Sequence, residues 1–173
     1  MTVWFTADTH FGHGGALGRF ARPFGSVAEM DEALVARWNE SVGRDDEVWH
    51  LGDFAYRVAP ERMAALLARL NGVKHLVTGN NDGPETARLS GWASVQAYRE
   101  LELDGVRLVL CHYPFRTWNG MYKGALNLHG HSHGKLAGLT RQVDVGVDVW
   151  DYRPITLDRI RSHRQRRSAA AAR

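Results

Sequence analysis

The sequence predicts a mixed α/β domain: two sheets packed together, with helices outside. Three observations predict it. The first half alternates short apolar runs with helix-period patterns in the order β-α-β-α-β, the second half is dominated by strand patterns, and 173 residues is the length of one domain. The 44% hydrophobic and 24% charged fractions are those of an ordinary globular chain with a sizeable core.

Taken in order, Thr2 to Ala7 reads as a buried strand rich in Val, Trp and Phe. Phe11 to Gly18 reads as a glycine-rich loop. Ser26 and Glu29 have the spacing of a capping box, and Val27, Met30, Leu34 and Trp38 give the helix behind it one apolar face. Val48 to Leu51 is a second buried strand. Pro60 suits a first helical turn, Met63, Leu66, Leu67 and Leu70 supply the buried face, and Asn71-Gly72 stops the helix. Val73 to Thr78 is a third strand. Leu101 to Leu110 alternates around Asp104-Gly105, a two-residue hairpin signal. Ala125 to Leu128 and Gln142 to Val149 read as further strands, so the second half is expected to be mostly antiparallel. Within the last of these, Asp144 and Asp148 alternate with valines and read as its polar face.

Charge is unevenly placed. From Leu157 onward there are six Arg and one Asp, which leaves the body of the chain at −2 although the whole carries +3. The expected organisation is a domain over residues 1–160 and a basic C-terminal tail over 161–173, a solvated end that could alternatively touch nucleic acid. No apolar run approaches the ~20 residues of a membrane span, and MTVWFTADTH has no secretory leader pattern. A single cysteine, Cys111, allows no internal disulfide and suits a reducing cytoplasm, the expected location.

Metal-capable side chains fall where the expected strands run out. Asp8-Thr9-His10 follows the first, Gly52-Asp53 the second, Gly79-Asn80-Asn81-Asp82 the third, His112 the strand ending at Cys111, and Gly130-His131-Ser132-His133 the strand ending at Leu128. Ligands in α/β sheets bind at such carboxyl ends. Glycines beside them permit tight turns and close backbone approach. Each piece alone is a common turn or an ordinary hydrogen-bonded histidine; five together at strand ends are hard to explain structurally. Carboxylate, amide oxygen and imidazole together suit Mn, Fe, Ni, Co or Zn. Other histidines read differently: His50 and His129 as packed or supporting groups, His75 and His163 as surface residues.

The order Asp-x-His, Gly-Asp, Gly-Asn, a lone His and Gly-His-x-His over residues 8–133 resembles the calcineurin-like metallophosphoesterases. That resemblance implies an αββα sandwich and a two-metal site: Asp8, His10, Asp53 and His133 around one ion, with Asp53 bridging to a second completed by Asn80, His112 and His131. It implies hydrolysis of phosphate esters by a metal-activated water, with a nucleotide or other phosphate ester as substrate. Arg57 matches the arginine of the family's Gly-Asp-x-x-Asp-Arg stretch, although Tyr56 replaces its second Asp. Asn81 stands where the family has a histidine that contacts phosphate and is a candidate acid. An amide cannot protonate an alkoxide, and this departure resembles diesterase-type members. Asn81, Arg57 and His13 of the glycine loop are the candidate phosphate contacts, with His13 a possible substitute acid. The rival readings are a noncatalytic metal-binding interaction module of the same fold and a nucleic-acid processing factor using the Arg-rich tail.

Overall fold

The computed structural model describes residues 1–163. β1 (Val3–Thr6), β2 (Glu47–His50) and β3 (Val73–Val77) lie side by side in parallel, and β4 (Trp92–Gln96) extends them in parallel. On the other edge β9 (Ile155–Thr156) pairs antiparallel with β1, which gives the order β4-β3-β2-β1-β9. The helices α2 (Val27–Ser41) and α3 (Pro60–Arg69) make the crossovers that parallel strands require.

α2 begins as its sequence predicts. Ser26 Oγ accepts from the Glu29 amide at 3.1 Å, while the Glu29 carboxylate reaches back one residue further, to the Gly25 amide at 2.8 Å. Met30, Leu34 and Trp38 are buried, and Val27 is half-buried at the edge of that face. The glycine-rich stretch departs from expectation. It closes into a short helix, α1 (Gly14–Arg19), because Ala16 finds a fully buried seat that holds the turn. A further helical turn, α4 (Pro84–Ala87), precedes β4.

The second sheet, in the order β5-β6-β7-β8, holds the main correction. β5 (Arg99–Leu103) and β6 (Val106–Leu110) form the expected hairpin, with Asp104 and Gly105 both at positive φ as its two-residue turn demands. β7 (Leu126–His129) and β8 (Gln142–Asp144) instead join in parallel, not antiparallel. The segments 111–125 and 130–141 are far longer than hairpin loops and carry the chain back to the starting edge. β8 is also shorter than predicted: after Asp144 the Val145-Gly146 step leaves the sheet, and Val147–Val149 winds into a 3₁₀ turn.

Alternation along the strands sorts the side chains into layers. Trp49 and Leu51 face Leu108, Leu110, Leu126 and Leu128 across the gap between the sheets, while Val48 packs with Met30, Leu34, Met63 and Leu66 beneath the helices. Val109, between two inward leucines, faces the other way onto Trp118 and Ala125. Residues 157–163 are helical and plug Leu157 and Ile160 into the inter-sheet core. The rest of the expected tail, 164–173, lies outside the described residues. Among the described residues no helix is long and apolar enough to cross a membrane.

Candidate metal centre

Because β6 and β7 are parallel, their carboxyl ends meet the same rim as those of β1, β2 and β3. That rim gathers the segments carrying Asp8, His10, Asp53, Asn80, His112, His131 and His133. Asp8, His10, Asp53, His131 and His133 hold their backbones at φ between 48° and 67°. For side chains other than glycine this left-handed region is sparsely populated and costs about 1–3 kcal/mol, and such strain concentrates where surroundings enforce a functional geometry. Three glycines make the crowding possible. A Cβ on Gly52 would lie 2.5 Å from the Gly79 nitrogen, and one on Gly130 or Gly146 would lie 2.6 or 2.8 Å from Asp8 Oδ2.

The donor atoms form two overlapping groups able to hold a cation: Asp8 with His10 and His133, and Asp8 with Asp53 and His112. His10 Nε2 is 3.4 Å from Asp53 Oδ2 and 4.0 Å from Asp8 Oδ1, and His133 Nε2 is 3.9 Å from the same Asp8 oxygen. His112 Nε2 lies 3.6 Å from Asp53 Oδ2 and 3.1 Å from Asn80 Oδ1, which also sits 2.9 Å from His131 Nδ1. Asp8 Oδ1 and His10 Nε2 are buried without any hydrogen-bond partner. Buried polar atoms are normally satisfied, so two orphans facing one another call for a ligand between them.

Tautomers sharpen this. His112 Nδ1 donates to the Leu51 carbonyl at 2.8 Å, and His133 Nδ1 bonds Asp148 Oδ2 at 2.7 Å. In the neutral ring each therefore turns a bare Nε2 toward oxygens that are acceptors themselves. Acceptors pointed at acceptors are repulsive until a cation sits among them. Titration points the same way. Burial, then the charges of Asp144 and Asp53, push the Asp8 carboxyl well above its ordinary range. Burial foremost, then Arg22, pushes His10 down to about 2, and burial also lowers His112 against the pull of Asp53. The donor set fits divalent ions of the Mn, Fe, Ni, Co and Zn group.

Asp148, expected on the polar face of a strand, instead stands behind the site. It receives Arg22 Nε at 2.8 Å and Nη2 at 2.9 Å together with the His133 ring. Burial pushes its carboxyl up, but the bonds from His133 and Arg22 outweigh this and hold it below its ordinary value. Arg22 also donates to the Asp8 and Thr9 carbonyls, tying the loop after β1 to Asp148. Nothing in the local pattern marks Arg22 beyond its place before Pro23, and the valine alternation around Asp148 points away from its role; Gly146 was the available signal that the strand ends early. Asp144 likewise braces a loop: it accepts from Ser132 Oγ, the Gly134 amide and the Gly146 amide. Asp82 accepts from the amides of Asp53, Phe54 and Gly79, locking the ends of β2 and β3 together.

A cavity of about 300 Å³ opens over the donors, lined by His10, His13, Asp53, Asn80, Asn81, His131 and His133, with Gly15, Arg19, Phe20 and Tyr56 on its walls. Asn81 lies over Asp53, donating its backbone amide to Oδ1 at 2.8 Å and its side-chain amide to Oδ2 at 2.5 Å. The His13 ring packs at a tilt against Tyr56 and approaches His10, Nδ1 to Nδ1 at 3.3 Å. Burial, then Arg19 and Arg22, lower His13 from its ordinary value. Arg57 is exposed, lies over the Tyr56 ring and is not among the lining residues. His50 and His129 are buried supports, as expected: His50 is bonded to Thr9 and His129 to the Gly130 carbonyl. His163 is exposed, as expected, with its ring edge-on to Trp150, whereas His75 is only partly exposed and stacks on Trp49.

Two sheets with outer helices and a strand-end nest of carboxylates and imidazoles define a metal-dependent hydrolase domain. The chain belongs to the calcineurin-like phosphoesterase superfamily, whose domain model matches residues 1–147. Phosphoester hydrolysis with divalent metal ions is the general chemistry of that family. The Gene 66 protein of Mycobacterium phage D29 is 33% identical over 181 aligned positions, covering 86% of this chain and 88% of that protein. An uncharacterized protein of Methanocaldococcus jannaschii is 29% identical, covering 91% and 88% respectively. In fold the chain is similar to a protein of unknown function from Aquifex aeolicus, with TM-score 0.75 and 23% identity over 92% of this chain and 97% of that one.

Proposed function

We propose that this chain is a two-metal phosphoesterase with a preference for phosphodiesters. The observation that carries the reading is the pair of buried, unpartnered atoms Asp8 Oδ1 and His10 Nε2 amid converging acceptors. Asp8, His10, Asp53 and His133 would hold one cation, and Asp53, Asn80, His112 and His131 the other. When bound, the cations supply Lewis acidity, lowering the pKa of water and offsetting charge on phosphoryl oxygens.

The chain's own groups then divide the remaining work. Leu51 and Asp148 fix the ring orientations of His112 and His133, as carboxylates and carbonyls behind metal-binding histidines do. Asn81 can donate to a nonbridging oxygen but has no proton for a leaving alkoxide, and this departure, which resembles diesterase-type members, supports the diester reading. His13 lines the same cavity. Asp53→Asn should abolish manganese-dependent hydrolysis of bis(p-nitrophenyl) phosphate, and full activity in that variant would overturn the assignment. A wild-type enzyme faster on p-nitrophenyl phosphate than on the diester would overturn the diester preference alone.

A further inference from the structure

We propose that Arg19 is the cation that grips the substrate phosphate, an inference that rests on the phosphoesterase reading of the same site. Asn81 is neutral, and Arg57 lies over the Tyr56 ring and does not line the cavity. Arg19 is the arginine that lines the cavity, and it does so from the last turn of α1, the helix formed where a loop was expected.

Its backbone is held while its head is free. Buried Ala16 seats the helix, and Lys135 Nζ donates to the Arg19 carbonyl at 3.1 Å. Among the described residues no hydrogen bond or ion pair engages the Arg19 guanidinium. Gly15 keeps the adjoining wall open, since a Cβ there would come within 3.0 Å of His13 Nε2. Asp53 is the one carboxylate among the lining residues, and metal binding would neutralise it. What then faces an incoming anion is a planar fork of donors suited to two phosphoryl oxygens at once.

Manganese-loaded wild type and Arg19→Ala should be compared by calorimetric titration with inorganic phosphate and by kcat and KM on bis(p-nitrophenyl) phosphate. The expected result is a phosphate dissociation constant and a KM raised about 10- to 100-fold, the worth of a charge-assisted hydrogen-bonded pair. Metal content and melting temperature should not change, because the side chain is exposed. Arg19→Lys, which keeps the charge and loses the fork, should recover part of the loss. Equal phosphate affinity in wild type and Arg19→Ala, or no phosphate binding by either, overturns the inference. If phosphate binds through Arg19 but no ester is hydrolysed, the inference stands and the enzymatic reading falls.

Discussion

Asp148 shows how much a single carboxylate can carry in this fold. It lies between the buried guanidinium of Arg22, whose side chain is 0% exposed, and the imidazole of His133. Removing it with Asp148→Ala leaves Arg22 buried without a counter-charge, and breaking such a pair costs about 3–5 kcal/mol. It also frees the His133 ring, and losing the partner behind a metal-binding histidine costs about 10- to 100-fold in metal affinity. Urea denaturation and manganese titration check the two effects separately. Asp148→Asn keeps the shape and part of the hydrogen bonding, so its metal affinity should fall between wild type and the alanine variant. At this scale the candidate ligands were legible, because each follows an apolar run, with a glycine also before Asp53, Asn80 and His131. Arg22 was not, since an arginine reads as a surface residue until Asp148 and the Asp8 carbonyl are seen around it.

At the scale of elements, the decisive fact is how closely strand ends approach. β2 and β3 run out two residues before Gly52 and Gly79, and a methyl group on Gly52 would press on Gly79 backbone atoms and, at 2.7 Å, on His112 Nδ1. Gly52 also sits at φ +92°. Gly52→Ala should therefore destabilise the protein by about 3 kcal/mol, combining overpacking with a disfavoured backbone. It should also weaken metal binding, because the clash displaces His112; a thermal melt and a manganese titration would show both, and a wild-type melt would contradict the contact. The α2 and α3 patterns and the Asp104-Gly105 turn were legible because caps, helical spacing and turn chemistry act within a few residues. The direction of β7 and β8 was not, because strand pattern is the same in parallel and antiparallel pairs, and only the path of the connections decides between them.

At the scale of the whole molecule, the sandwich brings the carboxyl ends of strands from both sheets to one rim, and that rim is repulsive without a cation. A ligand that binds the folded chain alone stabilises it by mass action, about 2.7 kcal/mol at one hundred times its dissociation constant. Manganese should therefore raise the melting temperature, EDTA should reverse the rise, and Asp53→Asn should blunt it. A melting temperature indifferent to manganese, iron, nickel, cobalt and zinc would count against the metal centre.

By itself the sequence determined which residues stand at the ends of which strands, the helices that flank the first sheet and the family to which the chain belongs. These follow from short-range periodicity, turn chemistry and the order of a few motifs. Only the tertiary structure decided that β6 and β7 run parallel, that α1 carries Arg19 to the cavity wall, and that Asp148 reaches Arg22 across a separation of 126 residues. No local pattern encodes such pairings. The Asp148–Arg22 pair arises because packing buries a charge that only a partner far along the chain can compensate, and the strand direction follows from the path of the long connections.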